Sequence, residues 1–222
     1  MAVMQVRAWL RTPVISDAML PLDGILLYQA MRRRYGPQDA TLSGALSAEP
    51  EPLPLARAGE GEQWYYRCSF ATWSPTVAEG RGTWNKRINT RRIDVLDRGH
   101  TAKINVGGGR YRSYHMPVFY RSALWIAWYA DGDMEAVRGL LRDVWAIGKK
   151  TSQGYGRVAR WEVAPWPLDW SVERDGKPMR AVPIGDTFSL DDHVLYAGYR
   201  PPYWLPANQA MCRMPEAEDE GR

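Results

Sequence analysis

Apolar and polar residues alternate at the start of the chain, where Met4, Val6, Ala8 and Leu10 interleave with Gln5, Arg7, Trp9 and Arg11. A period of two puts the two sets on opposite sides of an extended backbone and predicts a half-buried strand, which Pro13 ends. From Leu22 to Tyr35 the period changes. Leu22, Ile25, Leu26, Ala30 and Met31 recur at helical spacing, and Gly36-Pro37 supplies the stop. Trp64 to Thr72 (WYYRCSFAT) is rich in aromatic residues and reads as a strand, and Val118 to Tyr129 (VFYRSALWIAWY) as a second. Asp131-Gly132-Asp133 predicts a turn and a cap. Met134 to Ile147 predicts a helix with Val137, Leu140, Leu141, Val144 and Trp145 on one side, ended by Gly148. Arg157 to Val163 alternates again as a last strand.

This order is β-α-β, a long insert, then β-α-β. It predicts an α+β, ferredoxin-like domain over residues 1–164, an antiparallel sheet backed by two helices. The insert, about 80–117, contains Gly107-Gly108-Gly109 and is expected to form a long hairpin or mobile loop. Residues 47–62 (SAEPEPLPLARAGEGE) read as a surface loop. Residues 165–215 hold few periodic segments and are expected to wrap the body as an irregular C-terminal extension, and 216–222 as a disordered acidic tail.

Composition narrows the class. The 222 residues, 45% hydrophobic and 24% charged, match an ordinary globular protein and exclude global disorder, collagen and coiled coil. The longest uncharged apolar run, Ala123 to Ala130, has eight residues. A membrane span needs about 20. No apolar stretch of the kind found in secretory leaders follows Met1, so none is expected. Cys68 and Cys212 cannot build a disulfide framework or a zinc site alone, which points to a reducing cytoplasm. The chain has 11 Trp and 12 Tyr against 3 Phe. Flat rings with a polar handle suit stacking on bases, and a Trp-rich core would use the same composition.

Charge is uneven. Between Arg81 and Arg121 ten basic residues (Arg81, Lys86, Arg87, Arg91, Arg92, Arg98, Lys103, Arg110, Arg112 and Arg121) face only Asp94 and Asp97, a net +8. The rest of the chain carries −4. A basic segment interleaved with Trp84, Tyr111, Tyr114 and Tyr120 points to a polyanion, nucleic acid above all.

The segment IGKKTSQGYGRV, residues 147–158, is the sharpest motif. It is not a P-loop, because Lys150 stands where Ser or Thr is required and no glycine lies five residues before Gly148. It is not the dinucleotide fingerprint, because a helix precedes it and a strand follows. Nor is it the stacking motif of RNA-recognition domains, since Arg157 and Arg160 replace the aromatics. What remains is a glycine-rich loop of Gly148, Gly154 and Gly156. Its amides could approach a phosphate or ribose closely, with charge from Lys149, Lys150 and Arg157, Gln153 beside them, and Tyr155 able to stack on a base. A tight helix-to-strand turn would use the same glycines.

Together these features resemble the RAMP superfamily of CRISPR-associated RNA-binding proteins, which carries such a loop between its last helix and last strand. The basic insert resembles the thumb of the subunit that caps the 5′ end of the guide RNA. Pro21-Leu22-Asp23-Gly24-Ile25-Leu26 and Tyr199-Arg200-Pro201-Pro202-Tyr203-Trp204 are most similar to that subunit in type IV systems. The resemblance implies a cytoplasmic, prokaryotic ribonucleoprotein subunit that binds the 5′ handle of CRISPR RNA. It also implies that a thumb over about Arg81 to Arg112 wedges against the backbone subunit, and that the chain supports the large subunit in reading target DNA. The RNA contacts expected on the thumb, where the resemblance transfers no exact contacts, are Lys86, Arg87, Arg91, Arg92, Lys103, Arg110, Arg112 and His115. In the loop they are Gly148, Lys149, Lys150, Gln153, Gly154, Tyr155, Gly156 and Arg157.

Relatives in the superfamily cut precursor CRISPR RNA without metal, which needs a general base and a general acid. His115, Tyr114 and Lys103 are the candidates here, so a metal-independent endoribonuclease stands as the alternative to a non-catalytic binding subunit, with a generic single-strand-binding module third. His100 and His193 read as turn residues, and Asp17 and Asp23 as caps of the first helix. Arg32-Arg33-Arg34 suits the helix C-terminus, RNA or target DNA. Asp94, Asp97 and the Asp191-Asp192-His193 triplet make no convergent cluster, so no metal or other cofactor is expected.

Overall fold

The structure is a computed structural model that describes residues 1–17, 19–36, 52–75, 77–87, 112–184 and 193–216. Four strands form its central sheet: β1 (Ala2–Leu10), β4 (Thr72–Trp73), β7 (Trp125–Gly132) and β8 (Val158–Pro165). They lie in the order β4-β7-β1-β8, each antiparallel to its neighbours. The alternation in β1 sets the faces. Met4, Val6 and Ala8 are fully buried opposite Ala130, Trp128 and Ile126 of β7. Helices α1 (Leu22–Tyr35) and α2 (Met134–Leu141) cover that face, burying Leu22, Leu26 and Leu27 from one and Val137 and Leu141 from the other. Asp133 caps α2 by accepting the Ala136 N–H at 3.0 Å. Among the described residues no helix is long and apolar enough to cross a membrane.

Four predicted elements differ from the structure. The stretch 118–129 is not one strand. It breaks at Leu124, between β6 (Tyr114–Ala123), which leaves the sheet to pair with β5 (Val77–Lys86), and β7 within it. The Ser74 hydroxyl accepts the Leu124 N–H at the break, a contact that no local pattern encodes. The helix expected over 134–147 stops at Leu141, because the Val144 and Trp145 carbonyls accept bonds from the Trp161 indole (2.7 Å) and the Val158 N–H (3.0 Å) of β8. Gly148 therefore does not end that helix. The stretch 64–72 splits into β3 (Tyr65–Tyr66), paired with β2 (Arg57–Ala58), and β4. Asp131 and Gly132 belong to β7 rather than to a turn.

The C-terminal part forms two small sheets. β9 (Glu173–Arg174) pairs with β10 (Lys177–Pro178), and β13 (Gln209–Arg213) runs between β11 (Val182–Pro183) and β12 (Val194–Gly198). Arg180 ties this part to the body. It is wholly buried, and its guanidinium donates to the carbonyls of Tyr66, Cys68 (3.0 Å) and Tyr199. It also faces the buried Asp23 carboxylate at 3.4 Å, which accepts the Tyr203 hydroxyl at 2.6 Å and the Gly24 N–H at 2.9 Å. Asp23 is thus no cap: the residue at the helix N-cap position is Pro21. Burial opposes the charge on Arg180, but Asp23, Tyr203 and Cys68 together outweigh it and hold the guanidinium firmly protonated. Burial and the same carboxylate push the Tyr203 phenol well above its ordinary range. Arg33, in the last turn of α1, binds the Gly139 carbonyl and Asp143 beyond the end of α2.

Two predictions follow from this packing. Arg180→Ala, which strands a buried carboxylate, should cost about 3–5 kcal/mol in urea unfolding, whereas Tyr203→Phe should cost about 1. A loss below about 1 kcal/mol for Arg180→Ala would refute the role given to it. Burial pushes the Cys68 thiol far up and Cys212 up to about 11. Thiols held neutral by the fold stabilise it below their unfolded pKa, near 9, and that contribution drains as pH rises through the folded value. Neither cysteine should react with iodoacetamide at pH 8 in the native protein, and both should react in denaturant.

Candidate nucleic-acid interface

The glycine-rich loop runs from Ile147 to β8. Segment 11–17, which follows β1, holds it from beneath. The Thr12 hydroxyl donates to the Gly154 carbonyl at 2.8 Å and accepts the Arg157 N–H at 2.9 Å. Lys149 N–H donates to Ile15 O at 2.6 Å and Gly156 N–H to Pro13 O at 2.7 Å. Gly156 has φ +68°, and a Cβ there would lie 1.8 Å from the Ile147 carbonyl oxygen, so only glycine fits.

These bonds change what the loop can offer. The amides of Lys149, Gln153, Gly154 and Gly156 are all spent on carbonyls of the fold itself. A phosphate cradle of those amides, the use suggested by the glycines, is therefore not what the loop presents. Side chains remain: Lys149 and Arg157 are exposed, and Tyr155 and Lys150 are half-buried. Lys149 pairs with Asp17 at 3.1 Å, which gives Asp17 this role in place of a helix cap.

The hairpin of β5 and β6 stands against the loop. Strand alternation gives it two faces. One carries Gly80, Gly82, Trp84 and Lys86 opposite Tyr120, Val118, Met116 and Tyr114. The other carries Glu79, Arg81 and Asn85 opposite Arg121, Phe119 and His115. The glycines make room for rings: a Cβ at Gly80 would lie 2.4 Å from the Tyr120 ring, and one at Gly82 would lie 3.1 Å from the Tyr155 hydroxyl. Tyr155 rests 6.0 Å from Tyr120, and Lys150 Nζ sits 3.5 Å over Trp84, which stacks on Tyr114 at 6.0 Å. Loop and hairpin are thus one basic and aromatic unit, joined by cation–π and ring contacts. Lys86, Arg87 and Arg112 extend it at the far end of the hairpin, exposed.

Arg91, Arg92, Lys103, Arg110 and His100 lie outside the described residues. His115 points to the face opposite Tyr114, with its Nδ1 2.6 Å from Asn85 Oδ1. His193 precedes β12 and its carbonyl accepts the Met214 N–H. Among the described residues no group of three His, Cys, Asp or Glu is placed to hold a metal ion. Sequence reasoning missed the supports of the loop, Thr12, Pro13 and Ile15, which carry no motif. It also missed Trp145, whose ring lies 4.2 Å from the Arg157 guanidinium.

Gly82→Val should push Tyr155 off the hairpin. The expected result is faster hydrogen exchange across residues 150–156, with the pairing of β5 and β6 retained, and unchanged exchange in the loop would show that the two do not pack as a unit.

No curated protein matches the chain. Among solved structures, a chain of a type III-B Cmr-beta complex determined by cryo-EM with cognate target RNA is similar at 12% identity and a TM-score of 0.33. The similarity covers 73% of this chain and 60% of that one. The family model of the CRISPR type IV associated protein Csf3 matches residues 2–216, nearly the whole length, and the chain accordingly belongs to this family of CRISPR type IV associated proteins.

Proposed function

We propose that the protein is a non-catalytic, RNA-binding subunit of a type IV CRISPR ribonucleoprotein that holds the 5′ handle of the guide RNA. The observation that carries the reading is the joint formed by Lys150 on Trp84 and Tyr155 on Tyr120. It makes one surface of a basic loop and a basic hairpin, with cations for phosphates and rings for bases. The hairpin acts as the thumb. It wedges between the handle and the backbone subunit, and the assembled complex, with its large subunit, reads the target DNA. The body beneath is read as ferredoxin-like, because β1, α1, β4, β7, α2 and β8 follow one another in the β-α-β-β-α-β sequence and the sheet order sets β1 between β7 and β8. The protein works in the prokaryotic cytoplasm.

The nuclease alternative needs an acid and a base converging on one phosphodiester. Tyr114 and His115 are adjacent in β6 and lie on opposite faces of the hairpin, which disfavours their acting together.

The test mixes purified protein, labelled repeat RNA and EDTA, and runs one aliquot on a native gel and its twin on a denaturing gel. A shifted band with intact RNA is expected, and cutting at a single position would overturn the reading. Lys150→Ala with Arg157→Ala should weaken binding and lower the slope of log affinity against log salt by about 1.4, the share of two phosphate contacts on a single strand.

A further inference from the structure

The sheet has a second face, turned away from both helices. Gln5, Arg7 and Trp9 of β1 lie there opposite Tyr129, Ala127 and Trp125 of β7, and Trp9 is also opposite Arg160 of β8. At one end this face is closed. Trp166 and Trp170 pack on Tyr129 with ring centroids 5.4 and 4.9 Å away, and Tyr129 is buried. At the other end cations and indoles alternate. The Arg160 guanidinium lies 4.7 Å over Trp9, and Arg7 lies 5.6 Å from Trp9 and 4.7 Å over Trp125. Trp9 is held in place by its indole N–H, which donates to Glu162 at 2.9 Å, and Arg7 by a 2.8 Å bond to Gln5.

A core would not arrange residues in this way. Arg160 is exposed, and Arg7, Trp9 and Trp125 are half-buried. A guanidinium held over an indole keeps its other side for a base, and its charge serves the phosphates between bases. The surface also lies next to the loop along the chain. Arg160 follows Arg157 by three residues and Trp9 precedes Thr12 by three, a reach of about 10 Å along extended chain, or one to two nucleotides.

We infer that this Arg160–Trp9–Arg7–Trp125 ladder is a stacking platform for single-stranded nucleic acid, and that its occupant is the continuation of the RNA strand held at the loop. The inference rests on the RNA-binding reading above. That charge and ring pattern on an open sheet suits a polyanion with exposed bases, and the shared edge at Thr12 and Arg157 makes the bound guide RNA the strand at hand.

The test is fluorescence anisotropy with two single-stranded repeat RNAs that share a 5′ end, one of about 8 nucleotides, able to fill only the loop and hairpin, and one of about 20. Arg160→Ala and Trp9→Ala should each weaken the longer RNA by about tenfold and leave the shorter unchanged, while Arg157→Ala should weaken both. Arg160 is exposed, so its variant separates loss of binding from loss of fold. If both platform variants bind the longer RNA as the wild type does, the platform is overturned while the loop reading stands. If the wild type binds neither RNA, the loop reading falls and takes this inference with it. If the variants instead lose a protein subunit of the complex with RNA affinity intact, the face is a protein interface and the inference is overturned.

Discussion

A single buried guanidinium holds the parts of this protein in register. Arg180 has no exposure, and it meets the end of β3 and the segment after it, the start of α1 and the segment after β12 at once. A charge taken out of water is tolerated only where partners saturate it, so each partner must arrive in place for the others to be stable. This fits the end of β3 at Tyr66, where the Tyr66 and Cys68 carbonyls turn to Arg180. It also explains why the C-terminal sheets, which have little core of their own, stay on the body. The cluster of Tyr65, Phe70, Ala181, Tyr199, Cys212 and Met214 is built around the same joint.

The candidate interface follows a different logic. The loop is tied down by its own amides, which donate to Pro13, Ile15, Lys150 and Thr151, and Gly148 and Gly156 allow close approach to the Ile15 and Ile147 carbonyls. These ties place Lys150 and Tyr155 against the hairpin. Gly80 and Gly82 complete the fit by leaving space where the rings of Tyr120 and Tyr155 lie. The candidate interface thus presents oriented side chains, with the backbone as the frame that orients them.

The central sheet separates two environments with one alternating pattern. Met4, Val6 and Ala8 enter the core, and the residues between them, Gln5, Arg7 and Trp9, face outward. Arg7 and Trp9 stay on the outer face because indole and guanidinium satisfy each other where water is partly excluded. The Trp-rich composition is divided accordingly: Trp128 is fully buried, whereas Trp9, Trp84 and Trp125 are half-exposed beside cations.

Local pattern by itself determined β1, α1, β8 and the start of α2, because periods of two and 3.6 are properties of consecutive residues. It also marked the glycine-rich loop and the basic insert, since charge and glycine spacing are visible without coordinates. Only the tertiary structure decided where apolar runs are cut. VFYRSALWIAWY is uniform in sequence, yet Leu124 divides it because Ser74, fifty residues away, takes its N–H. The short α2 likewise depends on Trp161 and Val158 claiming carbonyls that a longer helix would have used. Asp17 and Asp23 look alike as acids near a helix start, but one pairs with Lys149 at the surface and the other with Arg180 in the interior. Their partners lie more than a hundred residues away. Such pairings exist only once the chain has closed, because burial and distance are set by the packed whole and not by neighbours in sequence.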